Sequence, residues 1–528
     1  VTIKARLKSG SKTQTSKTSD DSMSSSFGNQ IRHGAAWIFF GEVVLTASQF
    51  IIGIVLARLL GPVEFGVFIA VTAFTSLFMM GVQFGMPQAI LQAKILTQAQ
   101  INAAFWSICL LALIFIAIAV GIAEPLADLY QAEQFTSVMY AMCLVFVLTP
   151  YTCIGLALLR RNMRFDRVAV INMVAMFVSA LVSIVAALLG AGVHSLVAGA
   201  VASMLTIFVM LLVFLDWHPS RPSWSPVRSL LGYSGFATLN NLLIFATARV
   251  DAMLVGALLG TTRLALYNRA YSLARIPAEQ FAESLGPLVL GSLSRIQDDI
   301  AWSRGLYFKA TSAISTLTMP LFVLLMVAGP LAIEFLYGEA WIGSGDPLRV
   351  MVVGAVFVML SASLRSFINA QGLVRAASSV FASVLVATLM IVLALAHWGL
   401  MAIALGISLR EVLQFALMLR LLGRSRIKLR LSEIGHAVAP SLIASLVSLL
   451  AGTMALHFAS DAMDKQVFLL LTFISIVIFG SYTLVVLLLM WLWSSHVPLN
   501  STRELLQQIL VNAVQRTARA RPVPRPGS

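Results

Sequence analysis

The chain is built from apolar runs about 20 residues long, each closed by a short polar or glycine-proline break, and that repetition limits its folds more than any motif does. The runs centre on residues 34–60, 65–89, 101–123, 135–159, 167–190, 193–215, 230–260, 264–290, 310–336, 348–370, 375–397, 399–422, 434–458 and 466–493. In hydrocarbon a backbone satisfies its polar groups only within helices or a closed barrel, and runs of this length suit helices, since barrel strands need only about ten residues. The pattern predicts an all-α polytopic membrane protein with about fourteen transmembrane helices. Composition agrees: 59% of the 528 residues are hydrophobic and 11% are charged, against roughly 25% charged in a soluble domain. A net charge of +14 would fit a nucleic-acid binder if it lay on one soluble module, but here it lies at the ends and between apolar runs. Cys109, Cys143 and Cys153 fall inside apolar runs with no C-x-x-C spacing. They read as small buried hydrophobes, not as a disulfide frame or a metal site.

Residues 1–33 are a different material. The stretch "SGSKTQTSKTSDDSMSSS" is polar, low in complexity and aperiodic, which predicts a disordered leader. It lacks the apolar core and small-residue cleavage site of a signal peptide. The chain opens on Val1, Met23 is an alternative start, and residues 1–22 carry no expected function. An even number of spans puts both ends on one side, and both ends are basic, the tail carrying Arg503, Arg516, Arg519, Arg521 and Arg525. The even-numbered connections are basic too, as at Arg160, Arg161, Arg164 and Arg167 or at Arg424, Arg426, Lys428 and Arg430. Odd connections carry mostly acids or nothing, such as Glu124, Asp128 and Glu133, or Glu334, Glu339 and Asp346. This is the positive-inside pattern with both termini cytoplasmic.

The chain also echoes itself. A shift of 199 lays Leu59-Leu60-Gly61 on Leu258-Leu259-Gly260 and Phe65 on Leu264; a shift of 207 lays Gly192, Leu196 and Gly199 on Gly399, Ile403 and Gly406. Two ordered matches at nearly equal shifts predict two pseudo-symmetric six-helix lobes, residues 34–222 and 223–430. Two extra helices follow over 431–497, then a basic cytoplasmic tail over 498–528. Six is even, so both lobes enter the membrane in one orientation, as a parallel repeat around a central cavity.

Arg58, Gly61, Pro62 and Glu64 form a charged corner in the first lobe. Gly61 can take a positive φ, Pro62 cannot continue a helix, and Glu64 meets the positive end of the next helix dipole. A tight outer hairpin and an outer gate both fit these residues. In "LARLLGPVEFGVF", "FGMPQAILQ", "LLRRNMRFDRVAVIN", "RVDAMLVGALLGTTRLALYNRAYSLARIP" and "LSRIQDD", the chain resembles the Wzx-type polysaccharide exporters. These form the polysaccharide transport branch of the multidrug/oligosaccharidyl-lipid/polysaccharide superfamily. The resemblance runs from about residue 34 to 430 and is nearest to exporters of acidic exopolysaccharides, the succinoglycan, colanic acid and xanthan type. It implies a MATE-like pair of lobes and a multi-pass flippase of the cell inner membrane, serving exopolysaccharide or lipopolysaccharide biosynthesis. Its implied cargo is undecaprenyl-diphosphate-linked oligosaccharide repeat units, moved to the periplasmic leaflet by alternating access, with polysaccharide polymerase and co-polymerase proteins as partners. Glu279 and Glu283 depart from the family pattern, where neutral polar residues are expected.

Ionisable side chains at membrane depth cost several kcal/mol unless they face a wet cavity or a partner. Such candidates for the cavity are Glu42 in the first lobe and Arg249, Asp251, Arg269, Arg275, Glu279, Glu283 and Arg365 in the second, with Arg410 and Glu411 beside them. Arg275, Glu279 and Glu283 share one helix face, either as a self-neutralising ladder or as a polar wall. Pro277 and Pro287 are hinge candidates on the same helix. Arg249 and Asp251 point about 200° apart and cannot pair with each other. Asp251 matches the aspartate of the family's D-x-x-x-[IV]-G stretch, and Arg269, Arg275 and Arg365 are the first partners to consider. Arg160, Arg161, Arg164 and Arg167 suit a diphosphate at the cytoplasmic mouth, but they equally suit topology and anionic membrane lipids.

No phosphate loop, H-E-x-x-H or Cys/His cluster at metal spacing occurs in the sequence, so no cofactor, metal or enzyme activity is expected. The alternatives are a cation-coupled multidrug antiporter of the same superfamily, against which the second lobe's arginines argue, and a membrane polysaccharide polymerase, against which the short odd connections argue.

Overall fold

The computed structural model describes residues 48–93, 95–221, 227–293, 300–370, 373–423, 429–460 and 466–492. The first helix is described over Ser48–Leu59 (α1). It is followed by α2 Pro62–Gln83, α3 Met86–Gln92, α4 Gln98–Tyr130, α5 Gln134–Arg161, α6 Phe165–Leu188, α7 His194–Phe214 and α8 Val227–Leu259. The second half holds α9 Thr261–Leu293, α10 Ile300–Tyr337, α11 Gly345–Ala370, α12 Val374–Leu395, α13 Leu400–Gly423, α14 Leu431–Ser460 and α15 Val467–Leu492. Short 3₁₀ turns occupy Glu339–Ser344 and Ala396–Trp398.

Within the described residues the apolar runs fall on helices, with one correction; residues 34–47 of the first run lie outside them. The run at 65–89 is not continuous: α2 stops at Gln83, and α3 is a separate helix of 7 residues. Phe84 (φ 37°) and Gly85 (φ 67°) are consecutive left-handed residues, a geometry that no α-helix can carry, and Pro87 then favours a fresh start. Among the described residues 11 helices are long and apolar enough to cross a membrane. The chain is a multi-pass membrane protein.

Local chemistry sets the ends. Thr97 and Gln100 form a reciprocal capping box at the start of α4. Pro62 occupies the first turn of α2, behind Gly61 at φ 53° and ψ 173°, a region open to glycine alone. On α6, Val174, Phe177, Leu181, Val185 and Leu188 are exposed and recur at helical spacing, marking a face for lipid.

Helices α2 and α4–α7 pack among themselves, as do α8–α13, and the pairs correspond. The contacts of α4 with α5, α5 with α7, α6 with α7 and α2 with α5 are matched by α10 with α11, α11 with α13, α12 with α13 and α9 with α11. The turn glycines correspond as well: Gly61 and Gly260 have φ 53° and 87°, and Gly192 and Gly399 have φ 53° and 87°. We call these groups the first and second bundles. They meet where α2 lies against α8 and α9, with α3 and α4 on α8. Helices α14 and α15 pack on each other and on α10, through Val323, Val327, Leu470, Ile474 and Ile478 and an Arg304–Glu433 ion pair of 2.5 Å.

Candidate functional site

Three neighbouring features gather polar side chains within and between the two bundles. The first lies inside the second bundle. On α9, Tyr267, Tyr271, Arg275 and Glu279 recur every fourth residue and so share one face. Opposite them stand Asp251 of α8 and the adjacent Arg410 and Glu411 of α13. Tyr267 Oη donates to Asp251 Oδ2 at 2.6 Å, and Arg410 Nη1 stands 3.9 Å from the same oxygen and 3.4 Å from the carbonyl of Thr247. Arg410 also pairs with Glu411. Arg275 reaches Glu411 at 2.9 Å, Glu279 at 2.7 Å and Tyr271 Oη at 2.7 Å. Asp251, Arg410 and Glu411 are 1%, 2% and 4% exposed. Two buried carboxylates therefore face two guanidiniums and balance their charge. The free space beside them is about 10 Å³, enough for about one water.

This arrangement corrects the partner expected for Asp251. Its arginine is Arg410, not Arg269, Arg275 or Arg365. Arg275 lies two turns beyond Tyr267 and is engaged by Glu411 and Glu279. Arg269, two residues from Tyr267, points to the opposite side of α9 for the same angular reason that separates Arg249 from Asp251. Arg249 is exposed and does not join the cluster. Arg365 on α11 lies within electrostatic reach of Glu411. The Arg275–Glu279 step of the expected ladder is present. Glu42 and the side chains of Glu283 and Pro287 lie outside the described residues. Helix α9 runs without a break through Pro277 and Pro287.

The second feature joins the bundles. Arg58 donates to the carbonyls of Phe335 and of Leu336, the latter at 2.9 Å, at the end of α10 where the helix dipole favours a cation. Glu64 stays at the start of α2, so the two charges of the corner serve two different helix ends. Trp341 Nε1 donates to the carbonyl of Ala57 at 3.0 Å, and its ring meets Phe65 edge-on at 5.6 Å. A Cβ at Gly66 would stand 2.0 Å from the carbonyl oxygen of Thr261, so α2 and the start of α9 touch backbone to backbone. Arg269 lies in this seam, with its guanidinium carbon 4.5, 4.9 and 5.2 Å from the rings of Phe65, Tyr337 and Trp341. It makes a long contact of 3.5 Å to the Gly53 carbonyl. Among the described residues no carboxylate pairs with it.

The third feature is a cavity of about 450 Å³ in the first bundle, between α1, α2, α6 and α7. Its polar lining among the described residues is Gln49, Asn172, Ser179 and Ser203, none of them charged, and Gly53 and Phe65 put it next to Arg269. Sequence reasoning missed it, because neutral polar residues carry no cost large enough to draw notice. It also missed Tyr267 and Tyr271, although their four-residue spacing with Arg275 was legible.

The four arginines of the α5–α6 connection divide. Arg161 donates to the Ile90 carbonyl at 2.5 Å and secures α3, while Arg167 donates to the Phe214 carbonyl at 2.8 Å and covers the Phe214 ring. Arg160 and Arg164 are exposed, and Arg164 and Arg167 line an open pocket of about 800 Å³ together with Asp216 and His218.

Comparison with solved structures finds the lipid II flippase MurJ in its inward closed conformation, with a TM-score of 0.67 at 13% identity over 85% of this chain and 99% of that one. An inward-facing multidrug resistance MATE family transporter of the MOP superfamily gives 0.57 at 17% identity over 74% and 96%. The fold is thus MurJ- and MATE-like. Among curated proteins, the lipopolysaccharide biosynthesis protein WzxC of Escherichia coli (strain K12) is 20% identical over 380 residues, 71% of this chain and 76% of the relative. The succinoglycan biosynthesis transport protein ExoT of Rhizobium meliloti (strain 1021) is 24% identical over 320 residues, 59% and 63%. Residues 55–346, more than half of the chain, match the family described as polysaccharide biosynthesis protein, and the chain belongs to that family.

Proposed function

We propose that the protein flips undecaprenyl-diphosphate-linked oligosaccharide repeat units from the cytoplasmic to the periplasmic leaflet of the cell inner membrane. The two bundles, residues 34–222 and 223–430, alternate access to the space between them. The observation that carries the reading is Arg269: a half-buried guanidinium in the seam between bundles, beside a cavity and with no carboxylate partner among the described residues. Such a cation costs several kcal/mol unless a partner arrives, and its planar fork suits a diphosphate. The family match and the relatives' roles in lipopolysaccharide and succinoglycan biosynthesis support it.

The work is transport, with no covalent step. A diphosphate leaving an inside-negative cell gains about 2.3 kcal/mol per charge per 100 mV, a driving force that needs no nucleotide. Both termini are cytoplasmic in this reading, the Arg58–Glu64 corner faces the periplasm, and polymerase and co-polymerase proteins take the product there.

Purified protein in liposomes, loaded with lipid-linked oligosaccharide extracted from native membranes, tests the reading. Wild type should move it, Arg269→Lys should retain part of the rate, and Arg269→Ala should lose most of it. Wild-type protein that leaves the lipid in its original leaflet ends the proposal. Orientation is checked by single cysteines on a cysteine-free background. One near residue 128 should label from outside intact cells, and one at 160–167 should not.

A further inference from the structure

The two bundles can be compared position by position inside their cores. The shift of 199 that superposes Gly61 on Gly260 also lays Ile52 of α1 on Asp251 of α8. The shift of 207 that superposes Gly192 on Gly399 also lays Ser203 of α7 on Arg410 of α13. The buried ion pair of the second bundle thus has, as its counterpart in the first, an isoleucine and a serine. Both line the 450 Å³ cavity. Where the second bundle closes its interior with charge, the first leaves room.

The lining tells what the room accepts. Gln49, Asn172, Ser179 and Ser203 come from three helices and converge on the cavity, and Phe65 and Met176 supply apolar walls. Among the described lining residues two amides and two hydroxyls offer donors and acceptors together, without a net charge. Among the described lining residues a cation would find no counter-ion, and the one charge beside the cavity, Arg269, stands at its mouth. A neutral polyhydroxylated ring would match the lining, and the volume lies in the usual range for small-molecule sites, roughly 300–1,000 Å³. Asn172 and Ser179 stand two turns apart on the inward face of α6, opposite the lipid-facing stripe of Phe177 and Leu181, so both amide and hydroxyl are aimed by the helix itself.

Arg269 fixes the relation to the charged part of the cargo. Gly53 and Phe65 both line the cavity and both touch the guanidinium, at 3.5 Å and 4.5 Å. An anionic group held at Arg269 would carry whatever is bonded to it to the cavity mouth. We propose that the first-bundle cavity is a sugar-recognition subsite, in which Gln49, Asn172, Ser179 and Ser203 bind uncharged sugar of the lipid-linked oligosaccharide and set which glycan is moved. This inference rests on the flippase reading above.

The test compares two cargoes in the same liposomes: lipid-linked oligosaccharide extracted from native membranes, and undecaprenyl diphosphate without sugar. Asn172→Leu removes an amide at nearly constant size, and Ser203→Phe fills the cavity. Both should unfold thermally within a few degrees of wild type. The wild-type preference for the sugar-bearing lipid should fall about ten-fold in each, because a site built to hydrogen-bond hydroxyls discriminates through those bonds. A merely structural role would slow both cargoes equally and leave the ratio unchanged, which would overturn the subsite while leaving the flippase reading intact. Wild type that moves neither cargo would overturn both. Should either variant fail to fold, Ser203→Ala and oligosaccharide released from the native lipid decide the matter. The free sugar must slow wild-type transport, and must slow Ser203→Ala less; equal or absent inhibition counts against the subsite.

Discussion

The first and second bundles share a plan and differ in what they bury. Both cross their last two helices at a glycine, Gly199 against Ser183 and Ser179 in one, Gly406 against Ile391 and Leu395 in the other. Both turn their first helix into their second at a positive-φ glycine. Inside, among the described residues, one keeps a cavity with an uncharged lining and the other a closed ion network. Backbone approach is decided by small residues at a few crossings, so the packing can be retained while interior positions change chemistry. A repeated scaffold can in this way keep one interior open and close the other with charge.

The sharpest way to break the comparison is at Arg410. Arg410→Met leaves Asp251 and Glu411 buried with too little positive charge, and loss of one member of a buried pair costs about 3–5 kcal/mol. Membrane protein level and thermal unfolding should both fall. Adding Asp251→Asn should restore part of the loss, whereas neutralising Arg365 in the Asp251→Asn background should not help. Equal stability of Arg410→Met and wild type would remove the ion network from the account of the fold.

The converse experiment moves the network across. Ser203→Arg alone places a charge in the neutral cavity and should lower folded protein severely, because an unpaired buried charge costs several kcal/mol. With Ile52→Asp as well, the first bundle acquires the pair found in the second, and accumulation should recover while transport stays lost. No recovery in the double variant would show that the two positions are not equivalent in space.

A smaller effect is expected at the seam. Gly66→Ala drives a methyl group into the Thr261 carbonyl, and overpacking of this kind typically costs about 1–3 kcal/mol. The bundles should part at this end, read as faster labelling of a cysteine at position 57. Least of all should follow from the turns. Gly61→Ala and Gly260→Ala both force a side chain into positive φ, each costing at least about 1 kcal/mol. Similar falls in unfolding temperature would sharpen the correspondence, and a large difference would show that one corner bears more load.

Much of this was legible in the sequence. The apolar runs yielded helices because length and a 3.6-residue period are local properties, and the break at Phe84-Gly85 was hidden only because apolar residues continue across it. The glycine echoes at 199 and 207 pointed to turns that do share a conformation. Arg275 and Glu279 were found as neighbours because four residues always bring side chains together on a helix. Periodicity also excluded an Arg249–Asp251 pair before any contact was known.

Pairing across helices was not legible. Asp251 and Arg410 come from α8 and α13, Arg58 reaches a carbonyl 278 residues away, and the neutral cavity draws on four helices. Sequence sets the rotation of each residue within its own helix, at about 100° per step. It does not set how two helices are turned and crossed relative to each other, since that depends on ridges, grooves and small residues at the contact. The sequence by itself therefore determined which elements form, where they end and which side chains share a face. Only the tertiary structure decided which faces meet, and so which arginine neutralises Asp251, which one lies among aromatic rings in the seam, and which bundle keeps its interior open.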